Sequence, residues 1–193
     1  MRFVRATVAL TTLLLLGAAP VPKHLMKGQP YWPTAIGTKW VYDLNGMEEA
    51  EEITKAEEHN GGMRLTVRCR LWDNTVDVSK EGVIRRMLGQ FRLDAEMARF
   101  PLKAGDSWTV AQPIQEGIQA NAGTMTVGET KDVSVPAGKF RATKVTFEVT
   151  EVNGKPIAKP QTFTYWYAQG VGTIRVEWDG GEKVLKSFTP PRE

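Results

Sequence analysis

The sequence has little cysteine and little histidine. A single cysteine, Cys69, in 193 residues excludes an intramolecular disulfide. The two histidines, His24 and His59, lie far apart, and with Cys69 they do not make the set of three or four ligands that zinc sites use. Cys69 lies on the apolar side of an alternating run, which favours a buried, unreactive thiol. We therefore expect no metal site and no cofactor.

The shortage of histidine also bears on catalysis. Gly105-Asp106-Ser107 is similar to the nucleophile block of one esterase family, but a nucleophilic serine needs a base, and no histidine follows His59. The block is better interpreted as a turn in which Asp106 or Ser107 bonds its own backbone. We expect the protein not to be an enzyme.

An excess of one charge sign is missing as well. The chain has 25 basic and 22 acidic residues, and its formal net charge is +3. Two of the basic residues, Arg2 and Arg5, belong to the N-terminal segment discussed next, and without them the net charge is +1. A nearly neutral surface gives no electrostatic reason to expect binding to nucleic acid. The composition, 41% hydrophobic and 24% charged, is typical of a globular protein.

Residues 1–19 have the three features of a secretory signal. Arg2 and Arg5 form a positive end, residues 8–16 form an apolar run, and residues 17–19 are small. The apolar run is shorter than the roughly 20 residues that a membrane-spanning helix needs. We expect cleavage, no transmembrane helix in the mature chain, and an exported protein that is periplasmic or extracellular. The alternative is an uncleaved signal anchor.

The proline content divides the remaining chain. Four of the 11 prolines fall within residues 20–33, where they favour an extended leader without regular structure. The predicted organisation is a signal peptide at 1–19, a proline-rich leader at 20–33, a single antiparallel β domain at 34–189 and a C-terminal tail at 190–193.

From Trp40 onward, apolar and polar residues alternate. The clearest runs are at 65–71, 145–149 and 174–178. Alternation of this kind indicates strands with one apolar and one wetted face, whereas buried parallel strands are continuously apolar. Residues 91–100 also fit a helix face, but we interpret them as a strand.

Turn signals separate the alternating runs. Asn-Gly and Asp-Gly pairs accept the positive φ values of tight hairpin turns. Gly170-Val171-Gly172 is interpreted as a bend or bulge that lets a sheet curl. We predict ten to twelve strands and an all-β fold: a strongly curved antiparallel sheet, either a half-barrel or an open barrel. The four turn pairs are Asn45-Gly46, Asn60-Gly61, Asn153-Gly154 and Asp179-Gly180.

The sequence contains an internal echo. Residues 33–40 and 101–108 share the pattern P-x-x-x-G-x-x-W, and residues 81–85 loosely match 171–175. Either the domain consists of two copies of a strand-rich half, or the same turn chemistry is used twice. In both cases the tryptophans that end the pattern, Trp40 and Trp108, are predicted to be anchors of one shared core.

Three segments carry a resemblance to a known group of proteins. Residues 101–108 (PLKAGDSW), 135–140 (VPAGKF) and 165–172 (YWYAQGVG) resemble, in order and approximate spacing, a broad family of uncharacterised exported bacterial β-domains. That family is similar in outline to half-barrel proteins of the lipoprotein-carrier type, in which a curved sheet shelters an apolar cavity. The resemblance covers roughly residues 31–189 and implies architecture without implying any catalytic residue.

The densest charge cluster is acidic. Its members lie at positions 48, 49, 51, 52, 57 and 58, all of them glutamate. We expect them to form the solvated face of an edge strand, where charge prevents aggregation between sheets. The alternative is a site for a cation or a basic partner.

The aromatic residues suggest a site. Phe163, Tyr165 and Tyr167 share one side of a predicted strand, and Trp166 takes the other side. If one side encloses a cavity, Phe147, Tyr165, Tyr167 and Trp178 are predicted to line it, and an apolar or lipid-like ligand would fill it. If these side chains are packed solid, the protein is instead an exported scaffold or protein-interaction domain with no small-molecule site.

Overall fold

The computed structural model describes residues 31–191. The predicted signal peptide, most of the predicted leader and the last two residues lie outside this range. Twelve strands account for the regular structure of residues 31–191, which contain no helix. The first six strands are β1 (Lys39–Leu44), β2 (Met47–His59), β3 (Gly62–Arg68), β4 (Asp73–Val78), β5 (Gly82–Leu88) and β6 (Phe91–Arg99). The other six are β7 (Ser107–Ala111), β8 (Asn121–Val135), β9 (Gly138–Val152), β10 (Lys155–Ala168), β11 (Gly172–Trp178) and β12 (Gly181–Thr189).

All twelve strands belong to one antiparallel sheet. Its order is β6-β5-β4-β3-β2-β1-β12-β11-β10-β9-β8-β7, so β1 pairs with β12 and the two edges are β6 and β7. The sheet curls until these edges approach each other, which makes a nearly closed barrel. The predicted all-β fold with a strongly curved antiparallel sheet is confirmed, as are the strand count and the strand at 91–99. In the described part of the chain there is also no helix of the length and hydrophobicity needed to cross a membrane.

The hairpin turns lie where the sequence predicts them. Each of the four Asn-Gly or Asp-Gly pairs joins two consecutive strands. In the first, Asn45 has φ 50° and Gly46 has φ 86°, the left-handed values that two-residue hairpins require. Because all consecutive strands except β6 and β7 are neighbours in the sheet, such local turns fix most of the topology.

In the described sheet, β6 and β7 face each other across a gap without pairing as strands, and we call this gap the seam. Side-chain hydrogen bonds close it. The indole N–H of Trp108 on β7 donates to the carbonyl of Glu96 on β6 at 2.9 Å. The side chain of Gln115 bonds the backbone of Arg92 in both directions, and the Arg92 amide reaches the Gln115 oxygen at 3.2 Å. The seam therefore lacks the backbone ladder that joins every other pair of neighbouring strands.

The internal echo corresponds to a repeated structural unit. The Gly37 amide donates to the carbonyl of Ile53 on β2 at 2.9 Å, and the Gly105 amide donates to the carbonyl of Val127 on β8 at 2.9 Å. In both copies a second hydrogen bond runs back: the Ile53 amide donates to the Thr38 carbonyl, and the Val127 amide donates to the Asp106 carbonyl. The matched tryptophans open the first strand of each six-stranded half, and the second echo falls on β5 and β11, the fifth strand of each half. These equivalences favour two copies over repeated turn chemistry.

The core lies inside the barrel. Trp40 and Trp108 are buried, as predicted for anchors. The hairpin tip between β8 and β9 reaches across to β12, where the Ala137 amide donates to the Leu185 carbonyl at 3.1 Å. Trp166 faces away from the barrel interior and is covered locally, because it donates to Glu177 at 2.9 Å and Lys131 lies 4.9 Å from its ring centre.

The acidic cluster does not lie on an edge strand. β2 runs between β1 and β3, so the expectation of an exposed edge is wrong. Its first half pairs with β1 and its second half with β3. Pairing with Trp40 and Tyr42 turns Glu51 and Glu49 toward the barrel interior. Sequence spacing could not reveal this, because β12, which supplies the partner for both glutamates, lies at the other end of the chain.

Candidate functional site

A cavity of about 300 Å³ lies inside the barrel, and we call it the main cavity. Strands from both halves form its wall, so the curling of the sheet into a nearly closed barrel is what creates it. Its lining is mostly apolar and aromatic, and it also includes four side chains that are polar or charged. The apolar and aromatic members are Trp32, Tyr42, Val76, Val83, Met97, Phe163, Tyr165, Tyr167, Val176 and Trp178, and the other polar members are Glu51, Arg85, Thr173 and Lys183.

Three of the four residues predicted to line a cavity contact this one. Tyr165 and Tyr167 project inward from β10, and Trp178 projects from β11 opposite Phe163. Phe147 on β9 lines a smaller neighbouring space of about 110 Å³, which we call the side cavity. The two cavities share part of their lining, so all four predicted residues face one connected region of the interior.

One wall of the main cavity is a group of aromatic rings. Tyr165 and Tyr167 are stacked with ring centres 6.1 Å apart, and Trp32 lies 6.4 Å from Tyr167. Trp32 belongs to the predicted leader, yet it is buried and packs 6.3 Å from Trp40. Sequence reasoning missed this residue, although an aromatic pair, Tyr31-Trp32, at the end of a proline-rich stretch is the signal that could have identified it.

Two tyrosine hydroxyls are held by backbone groups across the interior. Tyr42 donates to the Thr173 carbonyl at 2.9 Å, and Tyr167 donates to the Met97 carbonyl at 3.2 Å. Burial raises the pKa of both phenols above the ordinary range, so they remain neutral donors. Burial also raises the pKa of Tyr165, whose hydroxyl makes no hydrogen bond to any of residues 31–191.

Lys183 on β12 is the centre of a charged cluster at the cavity wall. Its ammonium group lies 2.7 Å from Glu49, 2.5 Å from Glu51 and 4.4 Å from the ring centre of Tyr42. Burial alone would lower the pKa of Lys183, but the two carboxylates raise it above its ordinary range. The lysine therefore stays charged, and its charge is compensated inside the barrel.

Cys69 lies beside this cluster. Its sulfur and the carboxylates of Glu49 and Glu51 lie within 4.8 Å of one another, a spacing that could hold a metal ion. Burial raises the pKa of Cys69 to about 12, and Asn74 donates to the sulfur at 3.0 Å. Metal ligation and nucleophilic attack both need the thiolate. The thiol is held in the unreactive form, and Lys183 already supplies a cation to the carboxylates.

Arg85 on β5 differs from Lys183 in having no partner. Its side chain lines both cavities, and its Nε atom is buried without a hydrogen bond. No carboxylate among residues 31–191 forms an ion pair with it. Its positive charge acts on the nearby phenol of Tyr165, whose pKa it lowers against the larger effect of burial. Among the described residues that line the main cavity, Arg85 is thus a cation without a compensating carboxylate, and Tyr165 is a hydroxyl without a hydrogen bond.

Comparison with known proteins identifies proteins of similar fold but does not assign the chain to a family. No family model matches the chain, and no match is found among curated proteins. Two solved structures are similar: a candidate lipoprotein from Parabacteroides distasonis, with 15% identity and a TM-score of 0.52, and a candidate exported protein with a YmcC-like fold from Bacteroides fragilis, with 16% identity and a TM-score of 0.51. Each likeness covers 83% of this chain and 99% of the other. The chain therefore shares the fold of these two proteins.

Proposed function

We propose that the protein is an exported, non-enzymatic binding module that holds an apolar or lipid-like ligand inside its barrel. The observation that carries the proposal is the main cavity, a space of about 300 Å³ bounded by strands of both halves. A barrel that served only as a scaffold would have this interior filled by side chains.

The lining is what an apolar ligand needs. Aromatic and aliphatic side chains supply most of the surface, and small-molecule sites typically combine such a lining with a few polar groups that orient the ligand. The hydroxyls of Tyr42 and Tyr167 are satisfied by backbone carbonyls, so most of the wall offers no competing polar contact.

Export is supported by separate observations. Residues 1–19 have the pattern of a secretory signal, and the two proteins of similar fold are described as a candidate lipoprotein and a candidate exported protein. The resemblance to carrier-type half-barrels is consistent with a lipid-like ligand. The place of action would be the periplasm or the outside of the cell.

Native mass spectrometry tests the proposal directly. Protein purified under gentle conditions from its own cell envelope should carry a bound molecule of lipid-like mass. Val176→Trp, which fills the main cavity, should abolish this adduct, whereas Thr124→Trp, at an exposed position of β8, should retain it. A clean apo mass for the wild-type protein would contradict the proposal.

The alternative, a protein-interaction domain, also has an observation in its favour. Leu71 and Trp72 in the β3–β4 turn and Ile114 in the β7–β8 loop are exposed, and the antiparallel order places both connections at the same end of the barrel. An empty wild-type cavity in the native spectrum, with a partner protein lost on mutation of Leu71 and Trp72, would favour this alternative.

A further inference from the structure

Arg85 is positioned as a ligand group. It pairs with Val76 on β4 and Ala95 on β6, which line the main and the side cavity, so its side chain enters the interior between them. A guanidinium always carries its charge and offers five donors. Burying such a group without a partner costs free energy, and proteins normally pair it. Among the described residues that line the main cavity, the other cation, Lys183, is likewise half-buried but is paired twice.

We propose that the ligand is a single-chain amphiphile with a carboxylate head group, and that Arg85 binds this carboxylate inside the barrel. The inference rests on the proposed function and specifies the chemistry of its ligand.

The geometry favours a carboxylate. The planar guanidinium matches a carboxylate with two parallel hydrogen bonds. Tyr165 adds a hydroxyl that has no hydrogen-bond partner within residues 31–191 and, like Arg85, lines both cavities. Lys183 is compensated by Glu49 and Glu51, and these carboxylates would repel a second anion at that end of the cavity.

The size of the space favours one chain. A volume of about 300 Å³ is at the lower limit of small-molecule sites, which are roughly 300–1,000 Å³. The side cavity adds about 110 Å³ beyond Arg85. The apolar rings around Tyr167 would contact the chain while the head group remains at Arg85.

Matched ligands test the inference. Binding of decanoic acid, 1-decanol and decyl phosphate would be measured by titration calorimetry on the wild-type protein, on Arg85→Met and on Arg85→Lys. We expect Arg85→Met to weaken decanoate binding by roughly ten- to a hundredfold, which corresponds to the loss of a charged hydrogen bond. The affinity for decanol should not change, and Arg85→Lys should recover part of the loss. Arg141→Met, at an arginine 69% exposed on the outer surface, is the control and should bind as the wild type does.

The outcomes separate the two proposals. If the wild type binds decanoate and decanol equally and Arg85→Met changes neither, the head-group assignment is wrong but the binding function stands. Tighter binding of decyl phosphate than of decanoate would overturn the choice of carboxylate. If no ligand binds, the proposed function itself fails.

Urea denaturation supplies an independent readout: Arg85→Met should be at least as stable as the wild type, and a marked loss of stability would assign Arg85 a structural role instead.

Discussion

Charged side chains on the outer surface of the barrel form networks, and Asp77 is the centre of one. Arg64 and Arg86 donate to its two carboxylate oxygens, each at 2.7 Å, and its side chain is only 15% exposed. The hydrogen bond from Arg64 is the main reason that the pKa of Asp77 is below its ordinary value, although partial burial opposes the shift. The two arginines come from β3 and β5, so the carboxylate joins three adjacent strands.

Asp77→Asn should lower the free energy of unfolding at pH 7 by about 1–3 kcal/mol, because the charged hydrogen bonds become neutral ones. The folded pKa lies below the unfolded one, so the ionised group stabilises the protein fully above the unfolded pKa, and the contribution is lost as the pH falls through the folded pKa. The difference between variant and wild type should therefore shrink below about pH 4. Urea denaturation over this pH range measures it.

The matched control is Glu129→Gln. Glu129 pairs with Lys131 at 2.7 Å, but both side chains are more than half exposed, and such surface pairs contribute little. A loss of stability in this variant equal to that of Asp77→Asn would show that burial is not what matters.

At the scale of elements, the corners before β1 and β7 are copies of each other. Gly37 has φ 85° and Gly105 has φ 92°, a conformation that residues with a Cβ rarely adopt. A Cβ at either position would meet nothing within 4 Å, so the requirement for glycine is conformational and not steric.

Gly37→Ala and Gly105→Ala should each destabilise the protein by a similar amount, about 1–2 kcal/mol. Equal losses are expected because the two corners have the same backbone hydrogen bonds. Gly128→Ala is the control, since a Cβ there would meet only the Lys144 side chain at 3.4 Å and its φ is ordinary. Thermal or urea denaturation of the three variants measures the effect, and clearly unequal losses at positions 37 and 105 would contradict the equivalence.

At the scale of elements, the sequence predicts the features that depend on neighbouring residues in the chain. Alternation and Asn-Gly turns identify strands and hairpins because both depend on residues next to each other in the chain. The interior depends on long-range pairing. The inward turn of Glu49 and Glu51 follows from the position of β2 beside β1 and from Lys183 on β12. Arg85 lies in a strand with no unusual pattern, and only the three-dimensional structure shows that it has no partner within residues 31–191. The aromatic residues of β10 could be identified because their spacing alone places them on one face.

At the scale of the whole molecule, the barrel has two different junctions between its halves. β1 and β12 are joined by a backbone ladder from Lys39 to Leu44, whereas β6 and β7 meet only through side chains at the seam. Because each half has six strands in the same order, these junctions occupy corresponding positions, and one of them is weaker.

Hydrogen exchange should show this difference. Peptides that contain β6 and β7 should exchange faster than peptides that contain β1 and β12, because the seam opens without breaking a ladder. Trp108→Phe removes the bond to Glu96 and should speed exchange at the seam by roughly fivefold, the equivalent of about 1 kcal/mol.

Trp40→Phe is the corresponding change at the paired junction. It removes the 2.7 Å bond to the Val171 carbonyl and should affect the β10–β11 turn without affecting the seam. Equal exchange rates at the two junctions in the wild type would contradict the difference in strength.

Under the proposed function, the seam also bears on the range of ligand chain lengths that the barrel would accept. The side cavity is bounded by Leu93 and Ala95 of β6 and by Val110 of β7, the two strands that no ladder holds together. Separation of these strands enlarges the interior just beyond Arg85, where a rigid ring of twelve paired strands would stay fixed in diameter. If the protein binds the proposed carboxylate amphiphile, this construction would make it strict about the head group and tolerant of chain length.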